Sequence, residues 1–255
     1  MPNPRWTLDR KAAKTHIGIV GVDEAGRGCL AGPVVAGAVI LPAAFFGKAA
    51  NRKATAEMND SKQFDETRRE ELYQVVLELG KKGELHWGVG DAGIEEIESE
   101  NIVGATCLAM RRAMDQASQA SQGLWKPETK TEADLFSSPD KHDSERSWLV
   151  RVDGRPMKRL PYVHQGLVKG DTLSLAVAMA SLLAKVTRDR GMRQLAQKFP
   201  AYDFGSNKGY GSPKHLTALK AHGPTAHHRP KFLRNLLGDD SPGGSDDAQS
   251  QLSFT

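Results

Sequence analysis

Apolar positions along the 255-residue chain change their spacing from one segment to the next. Short, nearly continuous apolar runs occur at 17–22 (IGIVGV), 34–41 (VVAGAVIL), 86–90 (HWGVG), 148–152 (WLVRV) and 162–168 (YVHQGLV). Runs of this length, rich in β-branched residues and bounded by glycine or polar residues, predict strands. Elsewhere the period lengthens. Leu72, Val75, Val76 and Leu79 stand at i, i+3, i+4 and i+7 behind Asp65, a suitable capping residue, and Gly80 ends the run. Further helices are expected over about 95–116 and over a Leu- and Ala-rich stretch from about 173 to 199. Strands in hairpin-like succession, then alternating with helices, predict an α/β protein with a mixed sheet and helices packed on it.

Two segments break this pattern. Residues 118–147 are dominated by Ser, Glu, Asp and Lys and read as a polar surface insertion, while 238–250 (GDDSPGGSDDAQS) read as a disordered linker. The organisation expected is an N-terminal extension over 1–15, one domain over 16–237 carrying the insertion, and an acidic tail over 238–255. No internal repeat is present. The leading residues lack the apolar core of a signal peptide, and the run at 34–41 is too short to span a bilayer, which predicts a cytoplasmic protein with no membrane segment. Cys29 and Cys107 are the only cysteines, which excludes a disulfide framework and a four-cysteine zinc site.

Charge sharpens the picture. Residues 1–238 hold 35 Lys and Arg against 27 Asp and Glu, and 185–234 alone hold eleven basic residues against two Asp. Such a stretch predicts a basic face for a polyanion such as nucleic acid, and a solvated surface that aids solubility is the alternative.

The candidate chemistry lies in carboxylates at strand ends, where ligands gather in open α/β sheets. Asp23 follows the first strand with Glu24 beside it, Asp153 follows WLVRV, and Asp171 follows the last strand. Asp171 also suits a helix N-terminus, and Asp153-Gly154 also suits a turn. Hard oxygen ligands without His or Cys fit Mg²⁺ or Mn²⁺, and with a basic surface they point to phosphodiester hydrolysis by two metal ions.

The segments GVDEAGRGCLAGPVVAGAVIL, NDSK (59–62), RVDG (151–154), KGD (169–171), ASLLAKVTRDR (180–190) and NKGYGSPKH (207–215) together resemble the ribonuclease HII family, in the family's order and over about 17–232. The resemblance implies a ribonuclease H-like mixed sheet flanked by helices, with Asp23, Glu24, Asp153 and Asp171 as ligands of Mn²⁺ or Mg²⁺. It implies a monomeric endonuclease that acts on RNA–DNA hybrids and cuts 5′ to ribonucleotides in duplex DNA, leaving 3′-hydroxyl and 5′-phosphate ends. By the same resemblance, Gly26, Arg27 and Gly28 lie against the ribose 2′-hydroxyl, the group that distinguishes RNA from DNA, and Tyr210 lies against the deoxyribose that follows. A related nuclease of recombination intermediates fails to explain GRG together with KGYG, and a noncatalytic hybrid-binding module fails to explain four retained acids.

Lys62, Lys185 and Arg188 are further candidate substrate contacts, although salt pairing along one helix face also accounts for Lys185 and Asp189. His215, His222, His227 and His228 read as surface phosphate contacts or structural donors and receive no catalytic role. The chain departs from the family pattern in the 118–147 insertion and in Met179, where a small residue is usual. Fifteen leading residues are too few for the extra N-terminal domain of the sister ribonuclease HIII. The closing QSQLSFT places Gln249, Leu252 and Phe254 in an arrangement resembling the Gln-x-x-Leu-x-Phe peptides that bind bacterial sliding clamps.

Overall fold

A computed structural model of the protein describes residues 3–130 and 147–237. Five strands, β1 (Gly18–Ala25), β2 (Val34–Pro42), β3 (His86–Ala92), β4 (Trp148–Asp153) and β5 (Gln165–Leu167), form one sheet in the order β3-β2-β1-β4-β5. β1 pairs antiparallel with β2, and β2 with β3, whereas β1 pairs parallel with β4, and β4 with β5. The sheet is therefore mixed, as the sequence predicts. The helices are α1 (Pro4–Ala12), α2 (Ala49–Ala54), α3 (Glu66–Lys81), α4 (Ile94–Ala120), α5 (Gly170–Leu173), α6 (Leu175–Lys198), α7 (Phe204–Asn207), α8 (Pro213–His222) and α9 (Pro230–Leu237).

Strand alternation sends Ile19, Val35, Val39 and Leu41 to one face, under α6, and Val20, Val22, Val34, Ala36, Ala38 and Ile40 to the other, under α4. The helices sit close because glycines let them. A Cβ at Gly21 would lie 2.1 Å from the backbone carbon of Ala176, and one at Gly37 would lie 2.4 Å from the carbonyl oxygen of Ala180. α6 thus rests directly on the backbone of β1 and β2, next to the end of β1 that carries Asp23. Met179 is fully buried in the same layer.

Several boundaries differ from expectation, each for a local reason. α3 is capped by Asp65, which accepts from the Arg68 N–H at 2.8 Å, and it passes Gly80 to end before Gly83, where φ is +68°. α4 is broken at Asn101, whose φ of 55° is non-helical and whose side chain caps the second half by accepting from the Val103 and Gly104 N–H groups. The last strand is shorter than 162–168. Residues 161–163 pair instead with 128–130, through Lys130 N–H to Pro161 and Val163 N–H to Glu128.

That pairing also corrects the reading of 118–147. Its first part completes α4 and buries Trp125 beneath the α4 face of the sheet. Residues 131–146, and the tail with Gln249, Leu252 and Phe254, lie outside the described residues. The N-terminal extension is built into the core. Trp6 packs against Phe45 and Phe46, and Asp9 is wholly buried.

Candidate active site

β1 and β4 lie side by side and parallel, registered through Val22 and Val152, and the next residue of each is an acid, Asp23 and Asp153. β1 does not stop there but runs on through Ala25. Asp171 arrives from α5: the left-handed Lys169 (φ 59°) turns the chain so that the Gly170 N–H donates to Asp153 Oδ1 at 2.6 Å. Asp171 is not the cap of the long helix, a role taken by Ser174. The Glu24 N–H donates to Asp23 Oδ1 at 2.7 Å, and Arg27 donates to Glu24 Oε1 at 3.0 Å.

This crowding shows in the acids' proton affinity. Burial pushes the Asp23 carboxyl well above its usual range, and the charges of Glu24 and Asp153 push it further, against hydrogen bonds from Ser181 and the Glu24 N–H. Glu24 is raised by burial and Asp153, with Arg27 opposing. Burial, Asp153 and Asp60 raise Asp171. Burial alone would lower the Lys62 ammonium, but Asp171, Asp23 and Asp60 outweigh it and raise it, with Lys62 Nζ at 3.5 Å from Asp171 Oδ2.

Oxygen-only donors whose mutual repulsion is only partly offset by the nearby cations Lys62, Arg27 and Arg5 suit a hard divalent ion. Among the described residues no three His, Cys, Asp or Glu side chains converge on a single point, so the fit rests on these acids meeting pairwise.

Beside the acids lie the two loops that carry Gly26, Arg27, Gly28 and Tyr210. The N–H groups of Leu30 and Ala31 donate to the Gly209 carbonyl at 2.8 and 3.3 Å, which fastens one loop to the other. Gly26 is left-handed, with φ at +93°, and a Cβ there would strike Arg188 at 2.0 Å, so glycine is required for the turn. Gly28 has nothing within 4 Å of where a Cβ would stand, so its backbone is open to an incoming group. Tyr210 is 47% exposed, against a buried Cys29 behind it.

Arg188 is not available to phosphate. It is 1% exposed, and its guanidinium donates to the carbonyls of Pro33, Lys208 and Ala31 at 2.8–3.0 Å. Arg229, unmarked in the sequence reading, does the same for the glycine loop, donating to Gly26, Arg27 and Gly32 at 2.7–3.0 Å, and burial lowers its pKa to about 10. Both draw carbonyls inward, which leaves the loops' outer faces for a ligand. Lys185 is held by Asp189 at 2.8 Å.

The basic excess over 185–234 therefore overstates the field a phosphate backbone would meet. Arg188, Arg229 and Lys208 are buried, and Arg190 and Arg193 are paired with Glu70 and Glu66. His215 and His228 are buried and hydrogen-bonded internally, which fits the structural-donor alternative and not the surface phosphate contact.

The sequence reading also missed a brace behind the acids. Buried Asp9 accepts from Arg151 on β4, from Ser174 Oγ at 2.9 Å and from the Ala176 N–H at 3.0 Å, tying the strand of Asp153 to the segment that follows Asp171. Arg5 donates to the Asp171 carbonyl at 3.1 Å and to Asn59 in the NDSK loop.

A family model described as Ribonuclease HII matches residues 20–235. The chain is 39% identical over 219 residues to ribonuclease HII of Caldanaerobacter subterraneus, covering 86% of this chain and 75% of that one. To ribonuclease HII of Ralstonia nicotianae it is 41% identical over 229 residues, covering 89% and 82%. Among solved structures, ribonuclease H2 of Pyrococcus horikoshii superposes with a TM-score of 0.59 at 23% identity, covering 86% of this chain and 96% of that one. RNase HII in the PCNA:RNase HII complex of Archaeoglobus fulgidus gives 0.55 at 23%, covering 84% and 94%. Bst-RNase HIII in complex with Mn²⁺ gives 0.52 at 16%, covering 83% and 65%.

Proposed function

The chain belongs to the ribonuclease HII family, and from that premise we propose that it is a divalent-metal-dependent endonuclease that hydrolyses the RNA strand of RNA–DNA hybrids and cuts 5′ to single ribonucleotides embedded in duplex DNA. The observation that carries this reading is the juxtaposition of the four acids with two mutually hydrogen-bonded loops, one presenting open glycine backbone and one an exposed tyrosine. Asp23, Glu24, Asp153 and Asp171 would hold two Mg²⁺ or Mn²⁺ ions, which supply an activated water and stabilise the leaving 3′-oxygen. Gly28 and its neighbours accept the ribose edge through backbone groups, and Arg229 keeps that backbone in place. Tyr210 lies against the following deoxyribose, so the two loops together report an RNA-to-DNA junction.

The test is cleavage of end-labelled duplexes holding one ribonucleotide, several, or none, with Mg²⁺ or Mn²⁺. The reading expects a 3′-hydroxyl and 5′-phosphate cut on the first two and none on the third. Cleavage of all-DNA duplex at a comparable rate would overturn it.

In this reading the enzyme removes ribonucleotides from DNA in the cytoplasm, as a monomer. Two buried free thiols suit a reducing compartment, and among the described residues no helix is long and apolar enough to cross a membrane. Gln249, Leu252 and Phe254 form a tether to a sliding clamp, a reading supported by their spacing and by the PCNA complex of the Archaeoglobus protein. Titration of a peptide of the last twelve or so residues against the clamp tests it, and binding unchanged by Leu252→Ala with Phe254→Ala would sink it.

A further inference from the structure

His215 and His228 are 0% and 1% exposed, and their Nε2 atoms lie 3.0 Å apart. Two like nitrogens can share a hydrogen only if one ring donates and the other accepts. The surrounding bonds decide which. The Thr225 N–H donates to His228 Nδ1 at 2.9 Å, so that nitrogen carries a lone pair and the proton of neutral His228 sits on Nε2. His228 Nε2–H therefore donates to His215 Nε2. The remaining proton of His215 must be on Nδ1, and it donates to the Tyr210 carbonyl at 2.8 Å.

Protonating either ring would put two hydrogens between the Nε2 atoms, or one against the Thr225 N–H. Burial and the neighbouring His215 push His228 down to about 3, which agrees with a neutral pair. The rings of Tyr202 and Phe204 enclose it, with centroids 5.0–5.5 Å from the His228 ring.

The far end of this chain of bonds is fixed to the glycine loop. His228 bridges Ala31 in antiparallel fashion, the Gly32 N–H donates to the His227 carbonyl at 2.9 Å, and the Arg229 N–H donates to the Leu30 carbonyl at 2.8 Å. We infer that His215 and His228 are positioning residues: a neutral, tautomer-locked pair that sets the Tyr210 backbone at a fixed offset from the ribose-facing loop, and so governs discrimination between a lone ribonucleotide and an RNA tract. This inference rests on the reading of Tyr210 as the deoxyribose contact.

The readout is the ratio of cleavage at a lone ribonucleotide to cleavage within an RNA tract, for Tyr210→Ala, His215→Phe and His215→Asn. Tyr210→Ala is expected to lower the ratio. His215→Phe is expected to lower it roughly five- to tenfold, the scale of one neutral hydrogen bond. His215→Asn keeps a donor near the Nδ1 position and should recover most of the loss. If Tyr210→Ala leaves the ratio unchanged, the reading of Tyr210 fails and this inference with it. If Tyr210→Ala lowers the ratio and His215→Phe does not, or Asn is no better than Phe, only the positioning role is overturned. The wild-type protein gives a test independent of any variant. Histidine ¹⁵N spectra at neutral pH should show His215 as the Nδ1–H tautomer and His228 as the Nε2–H tautomer, joined by a nitrogen–nitrogen coupling across the hydrogen bond. An imidazolium at either position, or the reverse tautomers, would overturn it.

Discussion

Replacing Asp23 by Asn should make the protein inactive and more stable. The carboxyl is buried, the charges of Glu24 and Asp153 add to the effect of burial and outweigh the nearby Lys62, and its proton affinity is raised well above the ordinary value. Between its pKa in the unfolded chain and its higher pKa in the folded one, the folded state holds the extra proton. Stability therefore falls as pH rises through that window, and at neutral pH the site is a net cost. An amide removes the charge and keeps the geometry. Its oxygen accepts from the Glu24 N–H, and its NH₂ donates to Ser181 Oγ, which is free to turn toward Ser61 at 3.0 Å.

The relief is about 1–3 kcal/mol, the scale of an uncompensated buried polar group, taken as the lower bound for a charge that Ser181 and the Glu24 N–H partly satisfy, and at ~2–4 °C per kcal/mol it raises the melting midpoint by roughly 2–12 °C. Scanning calorimetry in chelator at neutral pH reads it. The gap should close as pH falls through the raised pKa, because protonated Asp and Asn are nearly equivalent there. Saturating Mn²⁺ should stabilise the wild type more than the variant, since binding to the folded state adds ~2.7 kcal/mol at a hundredfold excess over Kd. An Asn variant that melts lower than wild type in chelator, or a gap that widens on acidification, would refute the electrostatic reasoning.

Other outcomes follow from the packing. Arg229→Lys leaves carbonyls of Gly26, Arg27 or Gly32 unpaired, costs at least ~2 kcal/mol by urea melting, and weakens discrimination between ribo- and deoxyribonucleotide duplexes. Asp9→Ala strands the Arg151 guanidinium, 12% exposed, and frees Ser174, at about 3–5 kcal/mol, and it lowers cleavage although Asp9 touches no substrate. Gly21→Ala drives a Cβ into the backbone of Ala176 and Val177, so α6 must lift from β1 at roughly 1–3 kcal/mol or more, with a lower urea midpoint as the check.

Much of the fold was legible because its elements are periodic and local. Each of the five apolar runs holds one of the five strands, Asp65 capped the helix it was expected to cap, and the strand-end position of Asp153 followed from where its apolar run stopped, whereas β1 continues two residues past Asp23. What escaped was non-local. An arginine in a basic stretch looks like a phosphate contact, and only the fold reveals that Arg188 and Arg229 reach carbonyls 155 to 203 residues away in sequence. The local count of charge misled for the same reason, since Glu66 and Glu70 belong to a distant helix. Two signals were present and unread: Trp6 and Trp125 each stand in a polar segment, and a tryptophan there is a sign of packing against the core. The histidine pair had no sequence signature, because its partners stand thirteen positions apart and meet only through the turn at 225–228.

Single-turnover cleavage of a duplex carrying one ribonucleotide, by wild type and by Asp153→Asn, with binding of the same duplex measured in parallel, decides whether these acids do the chemistry. The expected result is a single cut 5′ to the ribonucleotide by wild type with Mn²⁺ or Mg²⁺, and loss of that cut in Asp153→Asn with little change in Kd, since the loops proposed to meet the substrate are held by Arg188 and Arg229 and not by Asp153. Cleavage by Asp153→Asn at a rate near wild type would contradict it.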